Sequence, residues 1–299
     1  MPVLYIDAHS HAHGLPWDHW EILGMTGCAA VVLSCSNPHA TREIYNTPPG
    51  PDEMIRSWEQ PLRLARVAEK VHLFKVYTAV AVSSQTRIRD WEQLLEPLRV
   101  YLKDPLVVAV GELGLDPVQY FGLAWPIEEQ TEALTAQLQI AKETDKPVIL
   151  HTPTPKEARD FLVDLTTEAL PPPGVYKRTY LEADLDLVAR VGLDERRLVV
   201  DHADASIIEF VLRETEAWIG ISIGSSLRPT GPGEAAALVE RYGPDRIMLN
   251  SDHLAYMSVD PFAIPRAARE MVRRGLGETA IRRVLFENAC DFYGLDLTP

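Results

Sequence analysis

A chain of 299 residues with 46% hydrophobic and 24% charged residues is long enough for one large core and too apolar for a disordered segment. Its formal net charge of -14, from 43 acidic against 29 basic residues, gives an average field that repels nucleic acid and anionic membrane. No apolar run reaches the roughly 20 residues that span a bilayer. The cysteines Cys28, Cys35 and Cys290 form neither a disulfide framework nor a CxxC pair, and no basic leader precedes Val3-Leu4-Tyr5-Ile6, so a cytoplasmic protein is expected.

In chain order, eight short runs rich in Val, Ile and Leu read as strands: 3–9, 29–34, 72–80, 106–112, 147–151, 198–202, 217–223 and 246–251. Helical periodicity fills 52–70, 126–144, 205–214, 233–242 and 262–274. The segment 126–144 starts on Pro126 and then repeats Ile127, Ala133, Leu134, Leu138 and Ala141 at three- and four-residue spacings. This alternation predicts the α/β class and a (β/α)8 TIM barrel, one domain over residues 1–299. The proline-rich stretches 46–51 and 171–174 read as extended βα loops that lengthen one face of the barrel.

Five of these runs end in a histidine or an acid. In Asp7-Ala8-His9-Ser10-His11 the two histidines are two residues apart at a strand end, so strand geometry points both imidazoles the same way. Glu112 ends an apolar run between Gly111 and Gly114, where an ionised carboxylate is costly unless a cation or donors meet it. His151 follows Pro147-Val148-Ile149-Leu150, His202 follows Leu198-Val199-Val200-Asp201, and Asp252 follows Met248-Leu249-Asn250-Ser251. The catalytic groups of a barrel collect at the C-terminal ends of its strands, so these six residues are expected to converge.

Imidazoles and carboxylates without cysteine suit an open catalytic metal site. Zinc is the first expectation, with manganese, nickel, cobalt or magnesium as alternatives. Six donors exceed what one catalytic ion takes, which favours two divalent ions with a carboxylate between them. Around this set, Asp201 and Asp204 are candidates for orienting ligands. His13 and His253 are candidates for substrate contact. Arg228 lies just past the seventh run, where barrels often bind anions, and with Lys177 and Arg178 it can line an entrance if their loops share a face. Trp17, Trp20, Trp91 and Trp125 are expected to pack or anchor loops.

The pattern Asp7-x-His9-x-His11, Gly111-Glu112-Leu113-Gly114-Leu115-Asp116, His151, Asp201-His202 and Ser251-Asp252 resembles the amidohydrolase superfamily and, within it, the TatD-like metal-dependent hydrolases. The segment 286–295 is similar to the superfamily's closing helix. The resemblance implies that His9, His11 and Asp252 hold one ion, that His151 and His202 hold the second, that Glu112 bridges them, and that Asp252 takes a proton from the attacking water. After the third run, where TatD-like proteins usually carry Gly-x-His-Pro, this chain has Val76-Tyr77-Thr78-Ala79-Val80 and no histidine.

The expected activity is hydrolysis by a water bridging two divalent ions, acting on a phosphoester or on a small ester or amide. A TatD-type DNase is the first alternative, and a catalytically silent metal-binding scaffold is the second. The expected partner is a small or medium substrate, with nucleic acid disfavoured by the net charge. The sequence does not determine the oligomeric state.

Overall fold

Among the described residues there are ten strands, eight of them on the β-branched and aliphatic runs: β1 (Tyr5–Ser10), β2 (Cys28–Ser34), β3 (Lys75–Val80), β4 (Val107–Leu113), β5 (Gln119–Tyr120), β6 (Val148–Leu150), β7 (Val163–Asp164), β8 (Leu198–Val200), β9 (Trp218–Ser222) and β10 (Ile247–Asn250). The computed structural model describes residues 3–35, 48–72, 74–84, 87–116, 119–120, 125–153, 163–164, 173–224, 230–254 and 259–298. Eight strands pair side by side in the order β1-β2-β3-β4-β6-β8-β9-β10, every pairing parallel. The ring is joined at its C-terminal rim, where Asp252 N–H donates to the His9 carbonyl at 3.0 Å and a parallel bridge links His11 to Leu254. β5 and β7 form a separate antiparallel ribbon.

Helices α1 (Trp17–Met25), α2 (Pro51–His72), α3 (Leu95–Tyr101), α4 (Ile127–Thr144), α5 (Pro173–Val191), α6 (Ile208–Glu214), α7 (Pro232–Tyr242) and α8 (Ala263–Arg273) follow the barrel strands in turn. The chain is therefore a (β/α)8 barrel. Its strands are apolar on both faces because both are covered. Ile6, Ala8, Ala30, Val32, Ala109, Ile149, Val199 and Met248 pack in the barrel interior, while Tyr5, Val31, Leu33, Val110 and Val200 pack with the helices. This alternation is the two-residue strand period made visible.

The interior cluster also contains Phe286, Ala289, Phe292, Tyr293 and Leu295. These come from a terminal helical segment, α9 (Glu278–Arg282), which passes through a π turn at Arg283–Glu287 into α10 (Asn288–Tyr293). Tyr293 Oη donates to the Ala8 carbonyl at 2.8 Å, and Asn288 Nδ2 donates to the Ile247 carbonyl at 2.7 Å. The closing helix expected at 286–295 is this segment, and it seals the end of the barrel opposite the ligand-bearing rim.

Three expectations shift. The run 72–80 divides, because His72 completes the amphipathic helix α2 and the strand starts at Lys75. The stretch 171–174 is not all loop: α5 starts at Pro173, and proline is well accommodated in a helix's first turn, where its missing N–H has no partner to lose. The short α1 and α3 carry too few turns for a clear apolar period. Trp20, Trp91 and Trp125 are buried as anchors, whereas Trp17 is 57% exposed and lies over the His72 ring at 4.5 Å.

Candidate metal centre

Residues at the C-terminal ends of β1, β4, β6, β8 and β10 converge on one buried point. His9 on β1 and His11 just past its end bring their Nε2 atoms to 3.0 Å from each other. Glu112, from β4, reaches between the histidines. Its Oε1 lies 3.4 Å from His11 Nε2, and its Oε2 lies 3.0 Å from His202 Nε2 and 3.2 Å from His151 Nδ1. Asp252 Oδ1 is 3.8 Å from His9 Nε2 and 3.7 Å from His11 Nε2. All six expected residues are thus together, each 5% exposed or less.

Two overlapping sets of donor atoms lie close enough to hold an ion: His9, His11 and Asp252, and His9, Glu112 and His202. His9 belongs to both. His151 Nδ1 faces the same Glu112 oxygen as His202, so it approaches the second set through the carboxylate.

Each imidazole is also held from behind. His11 Nδ1 meets the Ser34 carbonyl at 3.0 Å, His151 Nε2 meets Asp116 Oδ2 at 3.2 Å, His202 Nδ1 meets Ser222 Oγ at 2.7 Å, and His9 Nδ1 lies 2.8 Å from Asp201 Oδ2. A ligating histidine almost always has its other nitrogen engaged in this way, which fixes ring and tautomer. The donor set and its supports therefore fit divalent metal.

Two of the converging residues have left-handed backbone, His202 at φ 56° and Asp252 at φ 47°. For a residue with a Cβ this costs about 1–2 kcal/mol, and the surroundings must impose it. At His202 the N–H donates to Asp201 Oδ1 at 2.8 Å, and the carbonyl accepts from Lys177 Nζ at 2.6 Å. Before Asp252, Ser251 donates its N–H and hydroxyl to the Asp7 carboxylate at 2.8 and 2.5 Å.

The electrostatics follow from six titratable groups packed out of water. Burial opposes charge on Glu112, but His151, His11 and His202 outweigh it and hold the carboxyl well below its ordinary range. Burial would likewise lower His9 and His151, yet the carboxylates beside them, Asp201 for His9 and Glu112 for His151, lift both imidazoles to about 9. Burial pushes Asp7 up to about 7 despite its bonds to Ser251.

The residues expected around the centre fare differently. Asp201 touches it directly. Asp204 instead pairs with the buried Lys177 at 3.4 Å. His253 is 1% exposed, with Nδ1 at 3.2 Å from His19 Nε2 and Nε2 at 3.2 Å from the Asp260 carbonyl, so both nitrogens already have protein partners. His13 sits in the turn after His11, its Nδ1 buried without a hydrogen-bond partner among the described residues, and burial lowers it to about 4. Arg228 lies outside the described residues. Lys177 is 2% exposed, and Arg178 lies over the Phe210 ring at 3.3 Å and pairs with Glu182, so neither is a free entrance cation.

The sequence assigns no role to Asp116, Ser34 or Ser222, which hold three of the rings, and it points Lys177 to an entrance, whereas Lys177 holds the His202 carbonyl. Asp116 closes the Gly111–Asp116 motif, which was a signal. Ser222 carried only the weaker one of a polar residue at a strand end.

Barrel and centre together define a metal-dependent hydrolase. The chain belongs to the family described as TatD related DNase, whose profile matches residues 6–294. An uncharacterized metal-dependent hydrolase of Methanocaldococcus jannaschii is 24% identical over 292 residues, 97% of this chain and 100% of that protein. The crystal structure of a TatD-like protein from Archaeoglobus fulgidus superposes with a TM-score of 0.70 at 24% identity, covering 97% of this chain and 100% of the other. The 3'-5' ssDNA/RNA exonuclease TatD of a Rahnella species is 37% identical over 102 residues, 31% of this chain and 38% of its own length.

Proposed function

We propose that this chain is a binuclear hydrolase of phosphoesters or small esters and amides, with residues 1–299 acting as one catalytic unit. The observation that carries the reading is the division of the Glu112 carboxylate, one oxygen toward His11 and the other toward His202 and His151. In it, His9, His11 and Asp252 would hold one ion, His151 and His202 would hold the other, and Glu112 would serve both positions. Zinc is the expected metal, with manganese, nickel, cobalt and magnesium as the alternatives. When bound, two such ions supply Lewis acidity that lowers the pKa of a water and polarises the scissile group.

The protein's own contribution is positional. Four imidazoles are locked by their rear contacts, so the site needs little rearrangement during turnover. Asp252 accepts the proton of the attacking water at its carboxylate. Burial of the whole set keeps competing water out and strengthens each charge interaction. Neither His13 nor Arg228 is assigned a part in the chemical step, and both are candidates for substrate contact.

The test is a hydrolysis screen at equal metal loading, split among small phosphoesters, lactones, cyclic amides and a single-stranded DNA oligonucleotide, at two salt concentrations. Turnover of a small substrate, abolished by Asp252→Asn and by chelation, is expected. A second reading, nuclease activity, is favoured by the partial likeness to the Rahnella exonuclease and opposed by the net charge of -14. Salt-sensitive DNA cleavage lost in Asp252→Asn, without small-molecule turnover, would replace the first reading with the second.

A further inference from the structure

Behind the centre, the carboxylate of Asp201 reaches both halves of it. Its Oδ2 lies 2.8 Å from His9 Nδ1, and with no in-line hydrogen bond among the described residues, this is its one short contact. Its Oδ1 accepts from His202 N–H at 2.8 Å and from Asn250 Nδ2 at 2.7 Å. The side chain is 1% exposed and wedged against Gly220, where any Cβ would run into Oδ1.

We infer that Asp201 is the positioning residue that couples the two ion positions, one oxygen setting the tautomer of His9 and the other fixing the backbone of His202. The inference rests on the binuclear reading above. A neutral imidazole carries one N–H, and a carboxylate is an acceptor only, so an oxygen 2.8 Å from Nδ1 opposes a lone pair on that nitrogen and selects the Nδ1–H form, although the contact is bent. The Nε2 lone pair is then left facing His11 Nε2 at 3.0 Å, with Glu112 and Asp252 at 3.7 and 3.8 Å. Ser34 Oγ, 3.4 Å from the same nitrogen, is a hydroxyl that donates or accepts and so selects neither tautomer. The second oxygen has a different task. It satisfies the N–H of a residue whose φ of 56° the chain would not adopt unaided.

An amide separates the two tasks. In Asp201→Asn the amide oxygen, turned toward His202 and Asn250, keeps both of those bonds. The amide N–H, turned toward His9, donates to Nδ1 and drives the imidazole proton onto Nε2, the atom needed for the ion. Asp201→Ala removes both tasks.

The experiment uses the full chain as wild type, Asp201→Asn and Asp201→Ala, stripped and then titrated with zinc or manganese alone. Occupancy of each position is read by anomalous diffraction and total content by elemental analysis. Asp201→Asn is expected to melt like the wild type when metal-free, to bind roughly 10- to 100-fold more weakly at His9–His11–Asp252, and to hold the His151–His202 position near wild type. Asp201→Ala is expected to weaken both. Equal filling of both positions in Asp201→Asn, or equal weakening, overturns the inference. Uptake of no metal by the wild type would instead overturn the binuclear reading. The inference is then decided by nitrogen NMR of labelled histidine in the metal-free protein, at a pH high enough to leave imidazoles neutral. His9 is expected as the Nδ1–H form in wild type and the Nε2–H form in Asp201→Asn, and one shared tautomer refutes it.

Discussion

An ionised carboxylate that is 2% exposed, as Glu112 is, would cost several kcal/mol if it stood alone, and three imidazoles around it offset that cost. Replacing it by the isosteric amide in Glu112→Gln keeps the shape and removes the charge between the two proposed ion positions. Metal content should fall at both, whereas His151→Ala should mainly empty one. Full occupancy in Glu112→Gln, by elemental analysis, would show that the carboxylate is no bridge. The same crowding sets a pH dependence. Neighbouring carboxylates lift His9 and His151 to about 9, above the ordinary imidazole, so at neutral pH protons compete for nitrogens that an ion would require. Metal uptake at pH 7 should therefore release protons, and affinity should rise as the pH climbs toward 9. Calorimetric titration in two buffers of different ionisation heat measures this directly, and an enthalpy independent of buffer would exclude it.

At the scale of single elements, what was legible in the sequence is what a strand displays along its own length. The apolar runs ending in His9, Glu112, His151, His202 and Asp252 could be read because a run buried on both faces makes a polar residue at its end stand out. The supports were harder to read because they act across long separations. Asp116 meets His151 from 35 residues away, and Ser222 meets His202 from 20. Lys177 read as an entrance cation because the helical turn of α5 that carries it inward has no marker in a segment with proline at its start. Tight backbone approaches are equally silent in sequence. At Gly224, an added Cβ would lie 2.5 Å from His253 Nε2 and 2.7 Å from the Ser251 carbonyl. Gly224→Ala should thus push on the loop that carries Asp252, lowering stability by about 1–3 kcal/mol and weakening the ion position that Asp252 serves. Urea unfolding and metal titration check both effects, and a variant unchanged in each would mean the loop yields freely.

For the whole molecule, the barrel could be foreseen from eight alternating units, while its sealed end could be foreseen only through likeness to known proteins, since nothing local in 286–295 says that it enters a barrel. Ion binding joins residues from five strands, so it should act on the stability of the entire chain. Saturation at about a thousandfold above the dissociation constant adds roughly 4 kcal/mol for each ion that binds only the folded state. Chelation should lower the melting temperature of wild type, and Asp252→Asn should show a smaller drop. Identical melting with and without chelator would mean that ion binding and folding are independent.

The seam between β1 and β10 also fixes an order of events during synthesis. Ser251 bonds to Asp7 across 244 residues, and Tyr293 bonds to Ala8 across 285, so β1 leaves the ribosome long before the segments that enclose it. Until then it exposes an edge and two histidines to whatever else is in solution. Its neighbour β2 arrives early and shields one side. The other side stays open for most of translation, which makes the first strand the place where a chaperone, or a premature ion, would meet the nascent protein.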